Sequence, residues 1–454
     1  MKKGEYSGTS SGEGFSSDSD EEYRPLQSKH GTRYPKFGRE TDPADNKVVH
    51  VCSFVLGAAL MAPFMVIICS AEDMLSGSKQ QTGLVVIALT APSFFIKFCF
   101  LLWKGLQDIS EVSKTLLTYA FITVGMLCIA FSQTDYNIRY VGVCLVSLGM
   151  SVGEVSLLII ATTKLREKAL SSLITGSAVG GILSTLPYVG MTNWSDVNPR
   201  LSLLVPIIWP ALYLLMFAVV QLKDLGKPSY QKIPESKNEK AFPRRKTFRA
   251  KRFMAVWKVI DHLLLLYLSY FSVFLSIGAI LSTLVFTHYT IFGPREDYHH
   301  YILSIVIGQF FGRSFMSLLL AKFPDISSTP FQALGTFFST FIMFLFVFGS
   351  WNRFIHHLWL VFVLCFVQGT FLGMLTIISY HSVPKQTRGP HVEFLLILTS
   401  LLETFGVLCA GLIGLHTEPL LYRHCQEISY GNSSHCFARN SNSKFWVKGK
   451  GGLM

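Results

Sequence analysis

The sequence has little charge and no recognisable catalytic motif. Only 15% of its 454 residues are Asp, Glu, Lys or Arg, whereas 50% are hydrophobic. It contains no strand-to-helix nucleophile elbow, no HExxH pair and no phosphate-cradling Gly-Lys-Ser/Thr loop. Because these motifs are missing, no residues are available for hydrolysis or ATP-driven pumping. We therefore expect a protein that is not an enzyme and that binds no cofactor or metal ion.

The first 46 residues lack any apolar segment. They are polar, rich in Ser, Gly, Glu and Lys, and contain no h-region of the kind found in cleavable signal peptides. We expect 1–46 to be a disordered cytosolic arm. The first apolar span would then direct the chain to the membrane.

Beyond this arm the chain is dominated by apolar runs of about twenty residues, the length needed to cross a membrane as a helix. We count eleven of them, with ten or twelve as alternatives. The runs are 48–71, 82–103, 115–132, 138–163, 169–191, 201–222, 259–286, 299–320, 330–350, 355–380 and 393–415. The sequence thus predicts an all-α polytopic membrane protein.

Lys and Arg are distributed unevenly over the connections between these spans. One set of connections is rich in them and includes eleven between Lys223 and Arg252. Because positive residues concentrate on the cytosolic side of membrane proteins, this asymmetry predicts a cytosolic N-terminus. The opposite set has only Lys79, Arg139, Arg200, Arg295 and Arg353.

Two Asn-x-Ser/Thr acceptors allow a check on this topology, because glycans are added only on the lumenal or extracellular side. Asn193 follows the fifth span and Asn432 follows the eleventh. Both positions are lumenal in the predicted topology, and we expect both to be glycosylated.

Cysteine usage bears on the C-terminal tail, 416–454. Seven of the nine cysteines lie in spans, where a small apolar side chain is a simpler explanation than a metal or redox role. Cys425 and Cys436 lie in the tail, on either side of Asn432, and would pair in an oxidising lumen. The tail is also basic, which would suit a cytosolic location instead, so both alternatives stay open.

A long basic segment, 223–257, separates six spans from five. A charged, Pro-containing linker at this point is typical of transporters built from two bundles. We therefore predict bundles at 47–222 and 258–415. The basic run at 244–252 would suit anionic lipid headgroups, although positive-inside bias also explains it. Nucleic-acid binding is not expected of a loop tethered to a membrane.

A weak internal repeat supports two related bundles. Lys97 and Arg313 are 216 residues apart, and the glycine pair starting at Gly149 precedes the pair starting at Gly369 by 220 residues. Both offsets place span n on span n+6, as two parallel repeats would. The sequence thus predicts two pseudo-repeated bundles of major facilitator type, with the twelfth span missing.

Lys97 and Arg313 are cations within apolar spans. A charge at mid-membrane depth costs about 3 kcal/mol or more on insertion scales, so it usually faces a bundle interior or a water-filled cavity. Arginine presents a planar fork suited to carboxylate or phosphate, and lysine presents a point charge. Together they predict a site for an anionic solute. For either residue alone, a structural ion pair between helices is an equally good explanation.

Two acidic residues and one histidine complete the candidate set. Glu154 follows Gly153 in the fourth span, and Glu403 lies in the eleventh. Each could carry a proton or serve as the counter-ion of a cation. His381, at the cytosolic end of the tenth span, could relay protons, although capping the helix is the simpler role.

Several stretches resemble the battenin family of lysosomal membrane proteins. They are LGMSVGEVSLLIIATTKL at 148–165, TGSAVGGILSTLPYVGMT at 175–192, and HVEF, LLETFG and AGLIGL within 391–415. The similarity is patchy and extends over 47–425. The family pattern is also kept at Pro92, Ile96, Lys97, Gln309, Arg313 and Ser314.

The resemblance implies an endolysosomal or vacuolar membrane protein with a major facilitator-like fold. It implies links to glycerophosphodiester export, to lysosomal pH and to basic amino acid levels. It also adds Gln309 to Lys97, Arg313 and Glu154 as predicted substrate-binding residues. Family members tend to carry an acidic residue at the position of Leu89, another within 270–279 and another at the position of Gln368. This chain has none at these three places, which weakens the case for proton coupling.

Sorting to lysosomes would require a signal in the cytosolic arm. Glu21, Glu22 and Leu26 supply the acidic residues and the first leucine of a dileucine signal, with Gln27 in place of the second. Ser17 and Ser19 precede acidic residues and are candidate phosphorylation sites. These features predict sorting adaptors as partners.

The sequence and the resemblance together predict an endolysosomal transporter that exports small organic phosphates by alternating access between two bundles. Two alternatives stay open. One is a carrier or regulator of another solute, such as basic amino acids or nucleosides. The other is a membrane adaptor for trafficking that transports nothing.

Overall fold

The computed structural model describes most of the hydrophobic chain. The described residues are 43–133, 135–163, 167–225, 245–286, 293–323, 328–386, 391–428, 436–439, 442 and 445–448. Within them, eleven helices are long and apolar enough to cross a membrane, which confirms the predicted count. The sorting residues Glu21, Glu22 and Leu26, the acceptor Asn432 and most of the 223–257 linker lie outside the described residues.

The eleven long helices are numbered here in chain order. They are α1 (Pro43–Cys69), α2 (Thr82–Leu102), α3 (Glu111–Phe131), α4 (Tyr136–Thr163), α5 (Glu167–Val189), α6 (Ile208–Leu225), α7 (Arg245–Leu275), α8 (Pro294–Lys322), α9 (Ser328–Asn352), α10 (Leu358–Gln386) and α11 (Val392–Ile428). Short helices lie between some of them, at Ala71–Met74, Lys104–Gln107 and Pro199–Ser202, and one follows α11 at Phe445–Lys448.

Several helix ends differ from the hydropathy prediction. Helix α7 begins at Arg245, inside the segment predicted as linker, and α11 continues to Ile428 rather than ending at 415. Hydropathy detects only the part of a helix that lies in the apolar layer, whereas backbone hydrogen bonding continues into polar sequence. Two helices also end in wider π turns, at Gly190–Trp194 after α5 and at Ser276–Ile280 after α7.

The two ends of the helix bundle have different contents. One end, called here the disulfide end, holds the connections after α1, α3, α5, α7 and α9, together with a disulfide between Cys425 and Cys436. The opposite end, called the linker end, holds the connections after α2, α4, α6, α8 and α10. Contacts such as Tyr136 Oη donating to the Ser76 carbonyl (2.9 Å) tie neighbouring connections together at the disulfide end.

Several pairs of helices pack backbone against backbone at glycines, including α1 with α5 and α8 with α10. A Cβ added at Gly176 or Gly180 would overlap main-chain atoms of α1, and one added at Gly312 or Gly373 would overlap main-chain atoms of the facing helix in the α8–α10 pair. Only glycine permits this approach, as in small-xxx-small membrane helix pairs. The resulting seams join α1 to α5 and α8 to α10.

Two further interfaces lie between the two halves of the chain. Helix α2 packs along α11, and α5 packs along α8. Phe94 of α2 contacts Phe405 of α11, with ring centroids 5.4 Å apart. These two interfaces join the first six helices to the last five.

The outer surface is apolar, as a lipid-facing surface must be. On α9, Phe337, Phe341, Phe344 and Phe348 recur at helical spacing, and about half or more of each side chain is exposed. In water such a stripe would be an aggregation hazard, but in a bilayer it is the expected lipid face.

Candidate functional site

Lys97 and Glu154 form an ion pair between α2 and α4. The Lys97 Nζ lies 2.7 Å from a Glu154 carboxylate oxygen, with 4% of the lysine side chain and 29% of the glutamate side chain exposed. Glu154 is also an electrostatic neighbour of Tyr270 and Tyr380, on α7 and α10, so its carboxylate points into the bundle.

Helix α11 contacts both partners of this pair. Ser400 Oγ donates to a Glu154 carboxylate oxygen at 2.5 Å, and Lys97 Nζ donates to Thr404 Oγ1 at 2.8 Å. Ser400 and Thr404 are four residues apart, so they lie on one face of the helix. This face holds the α2–α4 ion pair against α11.

Glu403 lies on α11 beside the same ion pair. Its electrostatic neighbours are Glu154, Lys97 and Arg313, and Tyr380 of α10 lies within hydrogen-bonding range. Among the residues that the structure describes, one Glu403 carboxylate oxygen is buried without a hydrogen-bond partner. Because an unpaired buried acceptor is costly, this oxygen is a candidate contact for a bound solute or water.

Arg313 brings α8 to the site. Its Nη1 donates to the Ile174 carbonyl at 2.9 Å and to Ser177 Oγ, both on α5, and its Nη2 lies 3.5 Å from Gln309 Oε1. All of these acceptors are neutral. Within the described residues no carboxylate forms an ion pair with Arg313, and its Nε has no hydrogen-bond partner.

The structure therefore brings together the four charged residues that the sequence singled out: Lys97, Glu154, Arg313 and Glu403, called here the four-charge site. They come from α2, α4, α8 and α11, and so from both halves of the chain. Ser400, Thr404, Tyr270 and Tyr380 complete the surroundings and were missed, because hydroxyl residues in apolar spans are common.

A second charge cluster lies at the disulfide end. Asp73, just after α1, binds Arg295 of α8 through both carboxylate oxygens: Arg295 Nη2 donates at 2.8 Å and its Nε donates to the other oxygen. Tyr188 Oη donates to the same carboxylate at 2.6 Å, and His299 Nε2 lies 3.3 Å away. We call this set the Asp73 cluster, and all of its side chains are buried.

The surroundings of Asp73 keep it ionised. Burial on its own raises the pKa of the carboxyl, but Arg295 and His299 outweigh burial and hold the pKa well below its ordinary value. A bidentate guanidinium pair is among the strongest arrangements available to a buried carboxylate. The cluster therefore stays charged in an acidic compartment.

A third cluster, the Arg439 cluster, involves residues after α11. Arg439 Nε donates to Glu72 at 2.9 Å, and its Nη2 lies 3.7 Å from Glu418. Thr82 connects the two carboxylates, donating to Glu72 from Oγ1 at 2.6 Å and to Glu418 from its backbone N–H at 2.8 Å. The Arg439 side chain is only 4% exposed, so this arm of the tail is embedded in the bundle.

The remaining predicted residues are placed as follows. His381 is half-buried on α10, next to Tyr380 and toward the linker end. Gln309 lies one helical turn before Arg313. Cys425 and Cys436 are joined in a disulfide with their Cα atoms 5.7 Å apart. Leu89 is buried, and Gln368, also buried, donates to Ser276 Oγ at 3.2 Å.

Asn193 does not present a glycan acceptor in this conformation. Its Oδ1 lies 3.1 Å from His299 Nδ1 and 3.5 Å from Arg295 Nη1, beside the Asp73 cluster. Its side-chain nitrogen is buried without a hydrogen-bond partner among the described residues. Because that nitrogen is the atom to which a glycan is attached, glycosylation of Asn193 requires its side chain to leave this position.

Comparison with known proteins gives a family and several relatives. The family model described as CLN3 protein matches residues 52–424. Protein BTN1 of Debaryomyces hansenii is 24% identical over 410 residues, which cover 83% of this chain and 94% of the relative. Battenin of Canis lupus familiaris is 23% identical over 360 residues, covering 76% and 78%.

Solved structures resemble the fold. An auto-inhibited POT family peptide transporter matches with a TM-score of 0.57 and 11% identity, covering 85% of this chain and 92% of that one. A bacterial homolog of the human lysosomal transporter Spinster matches with a TM-score of 0.55 and 12% identity, covering 87% and 88%. The fold is thus of the major facilitator kind, as predicted, and fold and family support membrane transport rather than catalysis.

Proposed function

Because this chain belongs to the CLN3 family, we propose that it is a multi-pass transporter of the lysosomal or vacuolar membrane. Its favoured cargo is a small organic phosphate, in first place a glycerophosphodiester. Its mechanism is alternating access, in which two bundles rock about the four-charge site. Matches to the family over 52–424 and to BTN1 and battenin proteins support the location and the activity.

The proposed cargo rests on one observation, namely that Arg313 has no carboxylate in contact with it among the described residues. Lys97 is neutralised by Glu154 at 2.7 Å, whereas the guanidinium of Arg313 meets only neutral acceptors among the described residues. Glu403 is an electrostatic neighbour of this buried cation but forms no ion pair with it, so an anionic ligand in direct contact would lower the cost of burying the charge. The unpartnered Nε adds a donor suited to a phosphate oxygen.

We propose that the bundles comprise 47–222 and 258–415 and that the N-terminus is cytosolic. The linker end would then face the cytosol, and the disulfide end would face the lumen. The basic residues of the long linker support this orientation through the positive-inside rule. The Cys425–Cys436 disulfide supports it too, because disulfides persist in oxidising compartments.

The test is metabolite profiling of lysosomes or vacuoles purified from cells that lack the protein. We expect glycerophosphodiesters to accumulate, to be cleared by the wild-type chain and not to be cleared by Arg313→Ala. Arg423→Ala is the matched control, because it removes an exposed guanidinium elsewhere and should clear the accumulated compounds. Variant levels in the organelle membrane are compared by immunoblot.

Two outcomes contradict the proposal. One is the absence of glycerophosphodiester accumulation. The other is clearance by Arg313→Ala as efficient as clearance by the wild type, which would favour a trafficking adaptor. Arg313→Lys, which keeps the charge but loses the planar fork, should clear the compounds only in part.

A second candidate is a carrier of cationic solutes, including basic amino acids. Among the described residues, one Glu403 oxygen is buried without a partner, and 29% of the Glu154 side chain is exposed, so two carboxylates could contact a cation. In the same profiling experiment this candidate predicts accumulation of cationic solutes, with loss of clearance in Glu403→Gln and not in Arg313→Lys.

A further inference from the structure

The residues after α11 cover the disulfide end and contact both halves of the molecule. We use the name C-terminal cap for 436–439 and 445–448, the parts of this segment in which consecutive residues are described. The disulfide from Cys436 to Cys425 fixes the start of the cap to the end of α11. Ala438 then donates its backbone N–H to the Ser282 carbonyl, after α7, at 2.9 Å.

The cap binds the first half of the chain through two anchors. Arg439 binds Glu72 after α1 and donates to the main chain of Gln80 before α2. Trp446 is fully buried, donates from Nε1 to the Ser132 carbonyl at 3.1 Å, and has the Arg139 guanidinium 4.8 Å from its ring. These contacts lie on the connections that follow α1 and α3 and on the first turn of α4.

The cap also binds the second half. Arg439 reaches Glu418 on α11, and Phe445 stacks against the guanidinium of Arg295 at 4.5 Å. Arg295 is the same residue that holds Asp73 across the interface between the halves. The cap therefore bridges elements that an alternating-access carrier has to separate when this end opens.

The charges in the Arg439 cluster give this bridge a way to release. Glu72 and Glu418 are both buried and share Thr82, so they are close enough to repel each other when ionised. Arg439 is the cation that faces both of them. When it withdraws, the two carboxyl groups are left in a poorly solvated place without their shared cation, which favours movement of the halves away from each other and entry of water.

We propose that the C-terminal cap acts as a latch that holds the disulfide end closed. Arg439 is the residue that holds it in place, through its contacts with Glu72 and Glu418. The cap has to break its contacts with one of the two halves before that end opens. This inference rests on the proposed alternating-access function, but its test requires no knowledge of the transported solute.

Cys69 is a native reporter for opening. It lies at the end of α1, is fully buried, and is an electrostatic neighbour of Asp73 and Arg295. Cys365, equally buried, lies on α10 beside Tyr301 within the second half, so it should stay covered when the halves separate. A chain that keeps only these two free cysteines and the disulfide reports opening and unfolding separately. The five replaced by Ala are Cys52, Cys99, Cys128, Cys144 and Cys409.

The experiment measures labelling of this full-length chain in proteoliposomes by a membrane-impermeant maleimide, read out by mass spectrometry. In Arg439→Gln we expect Cys69 to be labelled at least about tenfold faster while Cys365 stays protected, because a local opening equilibrium has shifted. Arg423→Gln is the matched control, since it removes an exposed guanidinium of the same end of α11, and its labelling rate should equal that of the parent.

A second variant tests the charge argument. Adding Glu418→Gln to Arg439→Gln replaces one of the two carboxyl groups that lost their shared cation, so Cys69 labelling should fall back toward the parent rate. Unchanged Cys69 labelling in Arg439→Gln would overturn the latch. Equal acceleration of labelling at Cys69 and Cys365 would also overturn it, because the cap would then stabilise the whole fold and not only the closed disulfide end.

Discussion

The four-charge site and the Asp73 cluster both combine acidic with basic residues but differ in how completely the charges are satisfied. In the Asp73 cluster, Asp73 receives hydrogen bonds from Arg295 and Tyr188, and all of these side chains are buried. In the four-charge site, Glu154 is 29% exposed and Arg313 has only neutral partners among the described residues. The first arrangement is complete in itself, whereas the second has capacity left for a ligand.

This difference suggests how charged residues that hold a membrane bundle together can be told from charged residues that are available to a ligand. A fully paired buried cluster resists change, because removing one member leaves the other unsatisfied. An incompletely paired, partly solvated cluster tolerates change in the fold but has contacts to offer a solute. Four predictions test this comparison.

The largest expected effect is that of Asp73→Asn. It leaves the buried Arg295 guanidinium without a counter-ion, so the free energy of unfolding should fall by about 3–5 kcal/mol. Thermal unfolding in detergent measures this. Asp108→Asn, at an exposed aspartate near the linker end, should leave stability within about 0.5 kcal/mol of the wild type. Equal melting temperatures for the two variants would show that the Asp73 cluster is not a structural tie.

Replacement of Lys97 should have a smaller effect on stability and a large effect on transport. Because its partner Glu154 is partly solvated and keeps its Ser400 hydrogen bond, Lys97→Met should cost only about 1 kcal/mol of stability. Glycerophosphodiester uptake into proteoliposomes should nevertheless be lost. A stability loss as large as that of Asp73→Asn would remove the distinction between the two clusters.

A still smaller effect is expected for Thr404→Val. Both Thr404 and Thr417 donate to the carbonyl four residues earlier on α11, but Thr404 also accepts from Lys97. Thr404→Val should therefore slow transport and lower stability by about 1 kcal/mol, the value of one hydrogen bond. Thr417→Val is the control with the same side-chain change and should transport normally. Identical transport by both variants would remove Thr404 from the site.

The last prediction is that the contribution of Asp73 to stability does not change between pH 7 and pH 5. The folded pKa of Asp73 lies below its unfolded value, so its contribution to stability is fully present above the unfolded pKa of about 4 and is lost only as pH falls toward the folded pKa. The stability difference between wild type and Asp73→Asn should therefore be equal at pH 7 and pH 5. A difference that shrinks by pH 5 would show that Asp73 titrates in an acidic lumen.

Sequence patterns predicted the helices and singled out the four charged residues that the structure brings together. The eleven spans follow from runs of apolar residues, and the four charges stood out because a charge inside an apolar span is rare and costly. The sequence could not reveal which cation pairs with which carboxylate. Pairing depends on helix rotation, which hydropathy does not report.

The clusters at the disulfide end were not predicted. Glu72, Asp73 and Arg295 follow or precede apolar runs, where charged residues are usually solvated, and Arg439 counted only as one basic residue of a tail. Their burial depends on tertiary contacts between segments more than two hundred residues apart, such as Asp73 with Arg295. The signal available in the sequence was the adjacent pair Glu72-Asp73 at the end of a span, which is too common to be diagnostic.

The glycine seams have a mechanical consequence. Where Gly312 and Gly373 bring the main chains of α8 and α10 into direct contact, no side chains are present that could change rotamer to absorb a displacement. The same holds for α1 and α5 along Gly176 and Gly180. Each pair should therefore move as one rigid unit, and movement between units has to be taken up at interfaces lined by side chains, such as that of α5 with α8.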